Sequence, residues 1–403
     1  MKISRSNKLG INLLFINACI YITFSLYAPF LSSYYSKAGL NALQIGILLT
    51  VGPLVAIVIQ PLWAILSDKT GRRKDILMLV IIGSGISIFS YYLGNTFLTF
   101  LIAASLLAIF SNSIAPLNDA ITLRFTNRYQ LDFSRIRMGG TIGYAIFVII
   151  AGIIVKQNPK IQFVLGFVGY LVTLLMVRKL PQDEKQSDSK TKKSTSIEAP
   201  KSSGLGLLHI FESKQIYFML AFAFISQAGL SFNGSFIGVY MIKLGLSETM
   251  IGIINSICAF SEIPVLFVIN WVLRKINTSK IIVFSSVLLG IRILLISSSN
   301  LGLMMAAQAL NGLTYMTIYF SCAVFISRNV KQENQSKGQS VLTIVQAGIG
   351  SIVGNIVGGF FVDSFGLNIA YRYMAALIII VSILLAVLQY LYNKNSKVVH
   401  QTS

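Results

Sequence analysis

Twelve long apolar runs dominate this chain, at 9–36, 43–66, 76–94, 97–119, 136–155, 161–178, 215–241, 249–273, 281–298, 301–327, 339–362 and 369–392. A helix of roughly 20 apolar residues crosses the hydrocarbon core of a bilayer. Backbone polar groups find no water there, so only helices and closed barrels can span it. The runs are continuous rather than alternating, which selects helices. Of the 403 residues 55% are hydrophobic and 11% are charged, against about 25% charged in soluble domains, and this excludes a soluble globular fold.

The net charge of +20 would suggest nucleic acid in a soluble protein, but here the basic residues flank the apolar runs. With the N-terminus inside, 26 Lys and Arg fall on the cytoplasmic side. Five fall outside, at Lys37, Lys156, Lys160, Lys243 and Arg372. The positive-inside rule then predicts a multi-pass cell-membrane protein with both termini cytoplasmic. The first run is too long and too aromatic for a cleaved signal peptide, so it is expected to remain as a span.

The polar stretch 180–213 separates six runs from six. It predicts an N-terminal six-helix bundle over 1–179, a cytoplasmic linker over 180–213 and a C-terminal six-helix bundle over 214–403. The linker's Lys190, Lys192 and Lys193 suit contact with anionic headgroups or control of topology. An ungapped repeat at an offset of 206 residues overlays PFLSSYYSKAGLNALQIGI at 29–47 on SFIGVYMIKLGLSETMIGI at 235–253. Because six is even, the two copies enter the membrane in the same orientation. The expected architecture is therefore all-α, with twelve transmembrane helices in two parallel-repeat six-helix bundles.

Few ionisable groups lie within the runs, where each is costly and marks a functional position by default. Glu262 and Arg292 each lie 15 residues from Asn277, which puts both about 22 Å from that apex at 1.5 Å per residue. Asp119 and Arg137 flank a second apex near Gln130. These two acid–base sets are expected to meet a solute in a shared wet chamber, or else to be static bridges between helices. Tyr144 lies two turns from Arg137 on the same helix face. Tyr21, Phe24, Tyr27 and Phe30 form a stripe that either lines a cavity or packs against lipid and neighbouring helices. Gly350, Gly354 and Gly358, with Gly139 and Gly143, recur at every fourth position, a spacing that lets helix backbones approach closely. Kinks are expected at Pro29, Pro53, Pro116 and Pro264.

Between the second and third runs stands PLWAILSDKTGRRKDIL. Asp68, Lys69, Gly71, Arg72, Arg73 and Lys74 resemble the loop signature of the major facilitator superfamily, with Ala64 where that family usually has glycine. The resemblance implies a gate between conformations. PLWAILSDKTGRRK, FSRIRMGGTIGYAI and FSEIPVLFVINWVLRKI further resemble the lactose permease branch and its relatives for nucleosides and phenylpropionate. It implies a substrate site of Asp119, Arg137, Tyr144, Glu262 and Arg292, with Tyr144 stacking on the solute. The branch's histidine and acid of the tenth helix fall near Asn311 and Thr314, and its buried aspartates of the seventh helix have no counterpart in AFISQAGLSFNGSF. Proton coupling would therefore rest on Glu262 or Asp119.

No phosphate-binding glycine loop, nucleophile with base or metal-ligand cluster is present in the sequence, so neither an enzyme nor an ATP-driven pump is expected, and no metal or cofactor. The expected function is secondary active transport by alternating access: proton-coupled symport of a small polar or aromatic solute such as a sugar, a nucleoside or a phenylpropionate-like acid. The alternative is a proton-driven drug or metabolite exporter, although the fifth run lacks the Gly-Pro signature of drug antiporters. Its partners would be the solute, the co-transported proton and the lipid bilayer, with no nucleic acid, and it would function as a monomer.

Overall fold

In a computed structural model the described residues are 2–181 and 214–402. The linker expected over 180–213, with Lys190, Lys192 and Lys193, lies outside them from residue 182 onward. Twelve helices among the described residues are long and apolar enough to cross a membrane. They are α1 (Asn7–Lys37), α2 (Ala42–Thr70), α3 (Arg73–Tyr92), α4 (Phe97–Tyr129), α5 (Phe133–Val155) and α6 (Ile161–Arg178), then α7 (Lys214–Lys243), α8 (Glu248–Lys275), α9 (Thr278–Ile296), α10 (Leu301–Asn329), α11 (Lys337–Phe365) and α12 (Leu367–Lys394). Each apolar run predicted from sequence corresponds to one helix. The fourth helix runs ten residues further than its apolar run, so Asp119 lies well inside it.

Polar side chains at the helix starts take up backbone N–H groups that have no partner within the helix. Asn41 and Gln44 form a capping box at α2, and Thr96 and Thr99 form one at α4. Asp132 opens α5 by accepting from the backbone of Ser134 and Arg135, and Asn277 opens α9 by accepting from Ser279. Such caps are worth about 1 kcal/mol each.

The repeat is legible in backbone geometry. Gly39 and Gly245, 206 residues apart, adopt φ values of 89° and 77°. Each follows a helix closed by the same pair of hydrogen bonds, from Ala38 to Tyr34 and Leu40 to Tyr35 in one copy, and from Leu244 to Tyr240 and Leu246 to Met241 in the other. A left-handed residue is what such a helix end requires, and glycine adopts it without a steric penalty.

The helices deviate from regularity at few places. α1 is interrupted by a 3₁₀ turn at Ala28–Phe30 around Pro29. α4 breaks between Phe97–Ser111 and Ile114–Tyr129, so that Pro116 falls in the first turn of a new segment, where its missing N–H costs little. α2 and α8 continue as helix through Pro53, Pro61 and Pro264. π-helical turns interrupt α10 at Gly312–Met316 and α11 at Ile344–Gly350.

The chain divides into two compact units, one holding the residues before the linker together with Ser235–Phe260, the other holding the start of α7 and everything from Ser261 onward. In the first unit α1 lies along α5 and α3 along α6. An aromatic cluster of Tyr34, Tyr35, Tyr91, Phe100 and Phe163 packs inside it. The far half of the aromatic stripe joins this interior, because Tyr27 bonds Tyr170 hydroxyl to hydroxyl at 2.7 Å and Phe30 is fully buried. In the second unit α9 lies along α12, as α3 lies along α6 in the first. Its core includes Phe222, Ile282, Cys322 and Phe325.

Candidate functional site

The break in α4 is held open by α2. Asn112 Nδ2 donates to Gly52 O at 2.9 Å and the Asn112 carbonyl, at the interruption, accepts from Gln60 Nε2 at 2.8 Å, so this carbonyl is satisfied by a neighbouring helix. The segment that restarts there carries Asn118, Asp119 and Thr122. Asp119 Oδ2 accepts from Arg137 Nη1 near the start of α5. The pair is not sealed, with the side chains of Arg137 and Asp119 47% and 29% exposed. Asp119 Oδ1 is buried without a hydrogen-bond partner. The Arg137 guanidinium lies 5.8 Å from the centroid of the Tyr21 ring, within the range of a cation–π contact. Tyr144 is half-buried two turns further along α5.

Behind the pair lies a network that the sequence reading did not single out. Asn118 donates to Asn17 Oδ1 at 3.1 Å, and Asn17 donates to Leu13 O at 3.1 Å and to Thr122 Oγ1 at 3.4 Å. All three polar side chains are buried. The available signal was their spacing: 118 and 122 are one turn apart on α4 and face Asn17 of α1.

In the second unit Arg292 is 2% exposed. Its Nη1 donates to Asn311 Oδ1 at 2.7 Å and to Thr314 Oγ1 at 3.0 Å, and its Nη2 donates to Gln308 Oε1. Asn311 donates in turn to Glu262 Oε1 at 2.9 Å. The acid and the guanidinium that the sequence placed at one depth are thus joined through a carboxamide. A planar fork with several acceptors around it is the environment a buried guanidinium requires. Gln308, Asn311 and Thr314 recur every third residue, a polar stripe on an otherwise apolar helix. The π turn begins at Gly312, whose N–H donates to Ser261 Oγ at 3.0 Å, tying α10 to the turn of α8 that carries Glu262.

The turn between α2 and α3 brings the motif residues together. Gly71 closes α2 at φ 64°, and Asp68 Oδ1 accepts from Arg73 Nε at 3.2 Å and Nη2 at 2.9 Å. Lys74 Nζ donates to the carbonyls of Arg178 at 2.8 Å and Leu180 at 2.6 Å, covering the end of α6, where a cation is favoured by the helix dipole. Lys69 and Arg72 are exposed. Among the described residues no group of three or more His, Cys, Asp or Glu could hold a metal ion.

A family model described as "MFS_1 like family" matches residues 11–373. The "Uncharacterized transporter YwbF" of Bacillus subtilis (strain 168) is 23% identical over 342 residues, covering 83% of this chain and 82% of that protein. A maltose permease of Geobacillus stearothermophilus is 22% identical over 371 residues, covering 88% of each. Among solved structures, a mutant of the nucleoside transporter NupG superposes with a TM-score of 0.83 at 18% identity, over 94% of this chain and 99% of that one. Fold and relatives alike are those of transporters and not of enzymes.

Proposed function

Because the chain belongs to the MFS_1-like family of major facilitator transporters, we propose that it is a secondary active importer of a neutral, polyhydroxylated solute, a sugar or a nucleoside, moved together with a proton. The proposed moving bodies are the six-helix halves 1–179 and 214–403, and alternating access is their rocking. The proposed location is the cell membrane with both termini cytoplasmic, on the distribution of Lys and Arg. The protein is proposed to work as a monomer.

The observation that carries the solute class is charge balance. Asp119 is paired with Arg137, and Arg292 is linked to Glu262 through Asn311. Each unit thus sets one acid against one guanidinium, so an anionic phenylpropionate-like acid would have to displace an internal acid to find a cation. A solute rich in hydroxyls can bond to both members of a pair without unbalancing it. The maltose permease among its relatives supports the same class. In this reading Asp119 and Arg137 bind the solute and Tyr144 stacks on it. Glu262 and Arg292 supply further polar contacts, and Glu262 or Asp119 carries the proton. The turn of Asp68, Lys69, Gly71, Arg72, Arg73 and Lys74 acts as the gate.

The test is uptake into proteoliposomes of radiolabelled maltose, uridine and phenylpropionate, with and without an inward proton gradient. Gradient-driven accumulation of maltose or uridine, lost in Arg137→Ala and in Glu262→Gln, is the expected result. Normal transport by both variants would refute the assigned site. Accumulation of the acid alone would refute the solute class.

A further inference from the structure

We infer that α1 is the positioning element of the Asp119–Arg137 pair, acting through two side chains one turn apart, Asn17 and Tyr21. Asn17 fixes the rotation of the α4 turn that presents Asp119. Tyr21 holds the guanidinium of Arg137. The inference rests on reading that pair as the solute site.

The first half of the argument concerns α4. Asn118 and Thr122 bracket Asp119, and both are tied to Asn17. Three buried amide and hydroxyl side chains are an expensive way to fill space between helices, since apolar residues of the same shape would pack there without a desolvation cost. Hydrogen bonds add direction. Apolar surfaces tolerate a slip or a turn of one helix against another, whereas a bonded network admits one phase. A rotation of α4 by a single residue would carry Asp119 about 100° away from Arg137. Both of these ties from α4 end on the same side chain, and Asn118 Oδ1 is buried without a donor of its own. Asn17 is therefore the keystone of the network.

The second half concerns α5. Tyr21 occupies space that a glycine leaves for it: a Cβ on Gly140 would lie 2.4 Å from Tyr21 Cδ2. Gly140 follows Arg137 by three residues, just under one turn, so the ring that seats against Gly140 also flanks the guanidinium at 5.8 Å. An arginine side chain that is 47% exposed would otherwise sample many rotamers, at an entropic cost to any bond it makes. The aromatic face narrows that range while leaving the N–H fork directed at Asp119 and the solute.

The readout is the rate at which phenylglyoxal modifies Arg137 in the purified full-length protein, measured by mass spectrometry. Buried Arg292 serves as the internal control. Asn17→Leu and Tyr21→Leu are expected to raise the Arg137 rate roughly tenfold, the order for weakening a charge-assisted hydrogen bond. Tyr21→Phe keeps the ring and should leave the rate unchanged. The all-apolar triple variant Asn17→Leu/Asn118→Leu/Thr122→Val removes the cost of unpaired polar groups, yet should keep the raised rate. In an Asp119→Asn background Asn17→Leu should add nothing, since it acts on Arg137 only through Asp119, whereas Tyr21→Leu, which removes a direct contact with the guanidinium, should still raise the rate. An Asn17→Leu effect that persists without Asp119 overturns the first half of the inference. Unchanged rates in Asn17→Leu and Tyr21→Leu overturn the inference, as does a triple variant that returns to the parental rate. If a variant unfolds, Arg292 becomes reactive, and the contrast between Tyr21→Phe and Tyr21→Leu then decides. This measurement needs no substrate. Normal maltose uptake by Arg137→Ala would refute the solute site and leave the modification result to stand or fall alone.

Discussion

Lys37 Nζ and a carboxylate oxygen of Glu248 form an ion pair across 211 residues of sequence, with the Glu248 side chain 3% exposed and that of Lys37 37% exposed. Lys37 lies in the last turn of its helix and Glu248 in the first turn of α8, so both dipoles favour the charges they carry. The repeat mates of these residues are Lys243 and Ala42, so the acid is present in one copy alone. Asymmetric burial predicts asymmetric cost. Lys37→Met strands a carboxylate away from water and should lower stability by about 1 to 3 kcal/mol, whereas Glu248→Gln leaves a half-exposed ammonium that reaches solvent and should cost less than about 1 kcal/mol. Thermal unfolding in detergent checks this, and a larger loss in Glu248→Gln would contradict the argument from burial.

Arg292 should not tolerate lysine. Its two terminal nitrogens serve Asn311, Thr314 and Gln308 in fixed directions, and a single ammonium on a flexible stem cannot reproduce that fork. Leaving one or more of those buried acceptors without a donor costs about 1 to 3 kcal/mol each. The expected outcome for Arg292→Lys is a melting temperature several degrees lower, together with loss of uptake. A variant that melts with the parent would show that the fork is dispensable.

Asp68 offers the opposite separation. Its side chain is 62% exposed and its bond to Arg73 lies at the surface, where an ion pair contributes about 0 to 1 kcal/mol. Asp68→Asn should therefore leave the melting temperature nearly unchanged. If the turn is a gate, the rate of uptake in proteoliposomes should nonetheless fall several-fold. Equal losses in stability and uptake would make the turn a structural element instead.

The sequence exposed most of what the bilayer imposes. Continuous apolar runs located twelve helices, and the repeat at 206 residues anticipated the matched turns at Gly39 and Gly245. It also drew attention to Asp119, Arg137, Glu262 and Arg292, because charge inside an apolar run is visible by its cost. The neutral partners Asn17, Asn118 and Gln308 were harder to see, and Asn311 came into view only through the family resemblance. A carboxamide in such a run stands out far less than a charge, and its importance depends on which neighbour it faces, which periodicity along one helix cannot give. The interruption of α4 at Asn112 and the π turns of α10 and α11 were only partly marked: Pro116, Gly312, Gly348 and Gly350 stand beside or within them. But α2 and α8 run on as helix through their prolines, so such residues alone do not separate a break from a continuous helix. The contacts that distinguish them, Gln60 with Asn112 and Ser261 with Gly312, come from other helices.

Two glycines of the second unit test how close its helices stand. A Cβ on Gly354 of α11 would lie 2.1 Å from the carbonyl oxygen of Ala228 on α7, while a Cβ on Gly234 of α7 would meet nothing within 4 Å. A backbone carbonyl cannot swing aside as a side chain can, so Gly354→Ala must push the two helices apart. Overpacking of this kind costs about 1 to 3 kcal/mol. Gly234→Ala adds a methyl group to open space in the middle of a helix and should stabilise by about 0.5 to 1 kcal/mol through reduced chain entropy in the unfolded state. The two variants should therefore shift thermal unfolding in opposite directions. The same displacement widens the crossing where Gln227 reaches Ser351 at 3.2 Å, so Gly354→Ala should also impair uptake, and Gly354→Ser should behave no better, because the obstruction is the Cβ itself.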